Sequence, residues 1–196
     1  MLNYFIDEWE SDCLILEGYL QELEYYSGSE RTTGQFKGVK RTKGSGSMLY
    51  GVTWKSFLKY DKDNKKIFRE KCPKTGLFYT KCRSLYPDLA DIFKEFSLLY
   101  FPEFEWSQVQ LNKNYKCPPH YDSSNIGESI LLTLGDFTGG ETIVKINNEE
   151  ISYDSHNKLV KFNGSKNLHW STEFEGNRYA LVFFTNNKLL KNIVEL

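Results

Sequence analysis

The stretch SILLTLGDFTGGETIVKI, residues 129–146, decides how this chain is read. Two short runs rich in Ile, Leu, Val and Thr, Ser129–Leu134 and Glu141–Ile146, flank the cluster Asp136-Phe-Thr-Gly139-Gly140. Apolar and β-branched runs on either side of an Asp/Gly cluster are strand–turn–strand chemistry, because glycine reaches the positive φ that a tight corner demands. The same rhythm continues outward. Trp106–Asn112, Leu159–Phe162, Leu168–Ser171 and Arg178–Thr185 are short and strand-like. Asn147-Asn148, Asn163-Gly164 and Glu175-Gly176-Asn177 divide them. Many short strands at this spacing predict an all-β sandwich or jelly roll from about Phe104 onward.

Chemistry-bearing residues fall within that β-rich half. His120-Tyr-Asp122 places two ligand types two residues apart, and alternation along a strand turns both side chains to one face. His169 follows 47 residues after Asp122, and the chain has only three histidines. Two imidazoles and one carboxylate suit Fe(II), Mn(II), Co(II) or Zn(II), and leave coordination positions open. His120 also follows Pro118-Pro119, so a plain turn histidine is the competing reading. Arg178 comes nine residues after His169 and opens the run Arg-Tyr-Ala-Leu-Val-Phe-Phe, which sets Arg178, Ala180, Val182 and Phe184 on one face. An arginine on an inward apolar face is costly unless a carboxylate meets it, and a bound ligand could supply one. A surface pair with Glu173 or Glu175 is the alternative. Gln110 and Asn112, on the preceding strand, could hydrogen-bond a co-substrate or substrate, or could simply be exposed. His156, in the polar loop 153–157, reads as exposed.

The N-terminal half is different in kind. Ile6, Trp9, Cys13, Leu16, Leu20 and Leu23 step by three and four, predicting one amphipathic helix or two broken near Gly18. Residues 27–47, with five glycines, read as a loop or glycine-rich hairpin carrying Lys37, Lys40, Arg41 and Lys43. Residues 48–59 read as a strand, and Tyr86–Tyr100 as a helix burying Leu89, Phe93, Phe96 and Tyr100, with Pro87 in its first turn. Charge is segregated. Residues 1–30 are net −8, residues 31–83 net +12, and residues 84–196 net −5, for −1 in all. A block this basic beside a candidate site is the footprint of a polyanion partner, or else a solvated face paired with the chain's own acids. Aromatics within the block (Phe36, Tyr50, Trp54, Phe57, Tyr60, Phe68, Phe78, Tyr79) could stack on bases or fill a core. The four cysteines lack metal-knuckle spacing and read as free thiols. No apolar run suffices for a membrane span and the acidic start is no signal peptide, so the expectation is an intracellular, cytoplasmic or nuclear protein that is not secreted. At 196 residues a single domain is expected, 1–103 supporting a core at 104–187. No pattern specifies an oligomeric state.

From about Gln108 to Thr185 the chain resembles the Fe(II)/2-oxoglutarate-dependent dioxygenases. The resemblance rests on His120-Tyr-Asp122, Leu-Gly-Asp-Phe-Thr-Gly139-Gly140-Glu-Thr, and Phe162-Asn-Gly…His169…Gly176-Asn-Arg178. It implies a fold that is mainly β with flanking helices, a double-stranded β-helix (jelly-roll, cupin-like) behind an N-terminal helical segment. It implies Fe(II) held by His120, Asp122 and His169, and 2-oxoglutarate gripped at its far carboxylate by Arg178; beside that, Gln110 remains a candidate contact to the co-substrate. O2 is then the co-substrate and ascorbate an aid. A dry lining is needed, and Leu132, Leu134, Val182 and Phe184 are expected to supply it. The stretch around Asn112 and Asn125 is similar to the TET/JBP-like branch, which oxidises 5-methylpyrimidines in DNA. That implies a nucleic-acid substrate read by Asn125, with Asn112 near it. The Gly139-Gly140-Glu141-Thr142 hairpin and short His169–Arg178 spacing fit prolyl and lysyl hydroxylases equally, with a protein or peptide as substrate.

Overall fold

A computed structural model describes residues 2–25, 44–60 and 63–189. The predicted cationic cluster Lys37, Lys40, Arg41 and Lys43 and the aromatic Phe36 therefore lie outside the described residues. The chain opens with α1 (Leu2–Gln21), a single helix that runs through Gly18 without a break. Gly18 sits in open space on the solvent side, while Cys13, Leu16 and Leu20 are buried. Then follow β1 (Gly46–Thr53), β2 (Phe57–Tyr60), β3 (Lys66–Phe68), β4 (Phe78–Tyr79), α2 (Lys81–Leu85) and α3 (Leu89–Tyr100). The remainder is strand: β5 (Gln108–Lys113), β6 (Asn125–Leu134), β7 (Phe137–Gly139), β8 (Thr142–Ile146), β9 (Glu149–Tyr153), β10 (Val160–Phe162), β11 (Leu168–Ser171), β12 (Phe174–Gly176) and β13 (Tyr179–Asn186).

Several boundaries depart from expectation, each for a local reason. The strand read over 48–59 starts earlier, taking in Gly46 and Ser47, and breaks at 54–56 before β2. The helix read from Tyr86 starts at Leu89. Pro87 and Asp88 form the turn before it, and Asp88 makes no side-chain cap bond. The Asp136–Gly140 corner contains β7, which pairs with β12. That approach needs Gly139, because a Cβ there would stand 2.6 Å from the Glu173 carbonyl oxygen. β9 is almost wholly exposed, so it carries no apolar signal to read.

The architecture is mainly β with flanking helices. Six strands in the order β10-β6-β13-β5-β1-β4 form one sheet, and β11-β8-β9 form a second. The helices cover one face of the large sheet. Leu16, Leu20, Phe93 and Phe96 pack there with Val109, Leu111, Leu132, Leu134, Leu181 and Phe183. Phe93 stands edge-on to Tyr50 at 5.1 Å and to Phe183 at 5.8 Å, geometry that aromatic quadrupoles favour. The opposite face packs a smaller cluster, Leu131, Ala180, Val160 and Phe162 with Val144 of the second sheet. Two sheets joined in this way make the double-stranded β-helix. All four cysteines are free thiols, and burial pushes Cys13 and Cys82 up to about 12, so both behave as small apolar groups.

Candidate metal centre and its pocket

Backbone pairing, more than strand alternation, brings the site together. His120 is not within a regular strand. It forms an isolated antiparallel bridge with His169, each N–H donating to the other's carbonyl at 3.0 Å. Facing residues in such a pair carry neighbouring side chains, and the two imidazole centroids are 4.1 Å apart. His169 therefore sits beside His120, on the edge strand of the second sheet. Asp122 lies in the loop after the bridge, where its N–H donates to the Gly164 carbonyl at 2.9 Å. The expected shared strand face of His120 and Asp122 is thus replaced by two separate backbone ties.

One ligand atom from each of His120, Asp122 and His169 lies within 4.8 Å of the others, and the three could hold a metal ion. His120 Nε2 is 3.4 Å from Asp122 Oδ1, and His169 Nε2 is 3.5 Å from Asp122 Oδ2. The other ring nitrogens decide the chemistry. His120 Nδ1 meets the Pro118 carbonyl at 2.9 Å, and His169 Nδ1 meets the Asn167 carbonyl at 3.0 Å. A carbonyl only accepts, so each Nδ1 carries a proton and each Nε2 is the nitrogen turned inward toward Asp122. Each Nε2 meets the carboxylate through a ring proton, or through a cation held between them. Burial alone would push the Asp122 carboxyl up, yet hydrogen bonds from His120 and His169 hold it well below the usual carboxylate range. Gly164 makes room for this arrangement. A Cβ there would be 2.9 Å from Asp122 Oδ2 and 3.0 Å from His169 Cε1.

The triad lines a cavity of about 170 Å³ together with Arg178, Ala180, Val182, Phe184, Leu131 and Phe162. Arg178 is 4% exposed, its guanidinium lies 5.6 Å from the Phe137 ring and 5.5 Å from the Phe174 ring, and its Nε has no hydrogen-bond partner among the described residues. Burial lowers its pKa to about 10. Glu173 does not meet it, pairing instead with Lys116. Asn114 fixes the Arg178 backbone, accepting its N–H at 2.7 Å, and Gly140 lies flat against its side chain, where a Cβ would be 3.0 Å from Nε. The cavity thus holds a buried cation with no ion-pair partner among the described residues.

The other expected residues also reach this cavity, in different states. Gln110 and Asn112 line it but are already engaged. Gln110 Nε2 donates to Ser47 Oγ and the Met48 carbonyl, both at 2.8 Å, and Ser47 Oγ donates to Asn112 Oδ1 at 2.8 Å. Asn125 stands half-buried on the wall. Leu132 and Leu134, expected as lining, point the other way into the helix-covered core, and Leu131 takes their place. β6 is buried on both faces at its C-terminal end, so its apolar run carries no alternation to show which residues face inward. His156 is half-buried, not exposed, with Nε2 at 3.0 Å from the Gly135 carbonyl. Tyr115, Cys117, Thr142 and Trp170 line the cavity and carried no sequence signal.

No family model matches the chain, and no curated protein matches it. Among solved structures it is similar to NgTET1 in complex with 5mC DNA (14% identity, 76% of this chain and 62% of that one, TM-score 0.48). It is also similar to an oxidoreductase of the 2OG-Fe(II) oxygenase family from Burkholderia pseudomallei (17%, 89% and 81%, TM-score 0.49). A third is OsALKBH1 (12%, 90% and 92%, TM-score 0.44). The chain spans less than two thirds of the NgTET1 chain. No described helix is long and apolar enough to cross a membrane.

Proposed function

We propose that the protein is an Fe(II)- and 2-oxoglutarate-dependent dioxygenase. His120, Asp122 and His169 hold the iron, and Arg178 grips the far carboxylate of 2-oxoglutarate. The observation that carries this reading is one cavity combining three inward-facing metal donors with a buried arginine whose Nε has no partner among the described residues. A dicarboxylate is the natural filling, since one end can join the metal and the other can neutralise the guanidinium in a two-pronged pair. With iron and co-substrate in place, O2 oxidises 2-oxoglutarate to succinate and CO2 and one oxygen atom enters a substrate C–H bond. The chain's own part is to bind, orient and keep water away. Phe137 and Phe174 flank the guanidinium, Val182, Phe184 and Leu131 dry the cavity, and the two backbone carbonyls at Nδ1 hold the imidazoles in register.

For the prime substrate we propose a nucleic-acid base of the 5-methylpyrimidine type, extruded into the cavity. Asn125 on the wall would contact it, with Asn112 and Gln110 held behind by Ser47. The net +12 block at residues 31–83 supports a polyanion. The Gly139-Gly140 corner packed on Arg178 also suits a prolyl or lysyl hydroxylase acting on protein. Succinate release with Fe(II) and 2-oxoglutarate, assayed against DNA, RNA and proline-containing peptides, tests both. Mass spectrometry should find one added oxygen on a base. Oxygen on a peptide instead would overturn the base and keep the dioxygenase, whereas no succinate with any substrate would overturn both.

A further inference from the structure

Ser47 of β1 stands behind the wall of the metal cavity without lining it, and it joins two amides that do, Gln110 and Asn112. The orientation of both amides follows from one fixed point. The Met48 carbonyl only accepts, and Gln110 meets it at 2.8 Å, so the atom there is Nε2 and Oε1 is turned elsewhere. The second N–H of Gln110 goes to Ser47 Oγ at 2.8 Å, which leaves the hydroxyl proton for Asn112 Oδ1, also at 2.8 Å. Turning Asn112 over would set its NH2 against the Gln110 NH2 at 3.3 Å, donor facing donor. The chain of bonds therefore runs in one direction, and each amide keeps one polar atom. Gln110 Oε1, an acceptor, and Asn112 Nδ2, a donor, have no hydrogen-bond partner among the described residues, and neither atom is fully buried.

An acceptor beside a donor selects a ligand that carries a donor beside an acceptor. A dicarboxylate only accepts, so Gln110 Oε1 gains nothing from 2-oxoglutarate and is left for the prime substrate. A main-chain peptide group does not fit, because its trans geometry turns N–H and C=O to opposite sides. The Watson–Crick edge of a base does fit: thymine, for one, has N3–H next to O4. A side-chain carboxamide also carries the pair on one edge, and is the competing occupant.

Resting on the dioxygenase reading above, we propose that Gln110 and Asn112 form an ordered acceptor–donor pair that reads the Watson–Crick edge of a base extruded into the cavity. Gln110 Oε1 accepts the base N–H, and Asn112 Nδ2 donates to the carbonyl or ring nitrogen beside it. The Met48 carbonyl and the Ser47 hydroxyl hold the pair in that order.

The test is anisotropy on the full chain loaded with Mn(II) and 2-oxoglutarate, using a labelled short single strand with one central thymine flanked by abasic residues. Its partner strand carries 2,4-difluorotoluene instead, which has the shape of thymine without its hydrogen-bonding edge. Phosphate attraction is the same for both, so it cancels in the ratio of the two Kd values. The wild type should prefer thymine by about tenfold or more, the share of two neutral hydrogen bonds. Asn112→Asp turns the donor into an acceptor and should bring the two strands close to equal. A measurement on the wild type alone covers the case in which that variant does not fold. There 5-methylcytosine should bind about fivefold tighter than 5-methyl-2-pyrimidinone, which lacks the amino donor for Gln110 Oε1. Equal binding of thymine and its isostere by the wild type, an undiminished preference in Asn112→Asp, or equal binding of the last two bases would each overturn the proposal. So would a glutamine-containing peptide that displaces the labelled strand at lower concentration than the unlabelled strand does. Mn(II) and 2-oxoglutarate binding, measured on the same wild-type preparation, separates the two readings. If both bind and the strands are not told apart, the acceptor–donor pair falls alone. If neither binds, the dioxygenase reading falls, and the pair with it.

Discussion

The two faces of the large sheet are built from the same strands and do opposite work. Along β5, Val109 and Leu111 turn to the helices and are fully buried, while Gln110 and Asn112 turn to the metal cavity. Along β13, Leu181 and Phe183 face the helices, and Ala180, Val182 and Phe184 face the metal cavity. The helix face is close-packed and carries stability. The other face keeps space and leaves polar groups partly unused, which a protein tolerates where a ligand completes them. Stability and chemistry are therefore separable residue by residue, at a spacing of one.

The strongest way to break that separation is Asp122→Ala. Metal-dependent 2-oxoglutarate turnover should fall to background, with the thermal melt of the metal-free protein little changed. Loss of the fold in circular dichroism would show that the cavity face also carries stability. The mirror experiment is Phe183→Ala, which should cost about 3–5 kcal/mol in urea unfolding by opening a void under Phe93 and Phe101. Metal affinity of the molecules that remain folded should hold.

Arg178→Met sharpens the contrast further, because one substitution should move co-substrate binding and stability in opposite directions. Co-substrate binding should weaken by about 2–5 kcal/mol, the cost of losing one partner of a buried charge pair. The ligand-free protein should become more stable, by about 1–4 kcal/mol if it follows other buried charges replaced by apolar groups. Burial depresses the Arg178 pKa to about 10, so the folded state disfavours its charge. That penalty is fully present below about 10 and fades only as pH rises through 10 toward the unfolded value. The gain in melting temperature should accordingly be flat across the neutral range. A variant less stable than wild type without 2-oxoglutarate would mean that Arg178 is structural. The smallest expected effect is that of Gly164→Ala, whose methyl must displace Asp122 or His169 by a few tenths of an ångström. Metal affinity should fall about 10- to 100-fold, the range seen when support around metal ligands is disturbed. Titration calorimetry with Mn(II) reads this directly.

Much of this was legible in the residues, and the misses have physical causes. Turn chemistry located most strands, because Asn147-Asn148, Gly139-Gly140 and Gly176 stand where φ is positive in the structure. β9 escaped because an exposed strand shows no apolar period, and α2 because five residues are too few to reveal one. The alternation of the last strand puts Arg178 on an inward face or in a surface pair with Glu173 or Glu175, and in the structure its side chain is buried with Nε unpartnered among the described residues. Leu131 was missed in favour of Leu132, since a run buried on both faces hides its own register.

What the sequence determined by itself was the set of local facts: where most strands lie, which residues carry ligating atoms, and that an arginine opens an otherwise apolar strand face. These follow from propensity, period and desolvation cost, all properties of a few neighbouring residues. What only the tertiary structure decided was adjacency. The His120–His169 bridge, the Asp122–Gly164 tie, the rings on either side of Arg178 and the bonds from Ser47 to Gln110 and Asn112 all join residues far apart in the chain. Pairing between distant strands is set by how both sheets close around their cores, and no short stretch of residues contains that information.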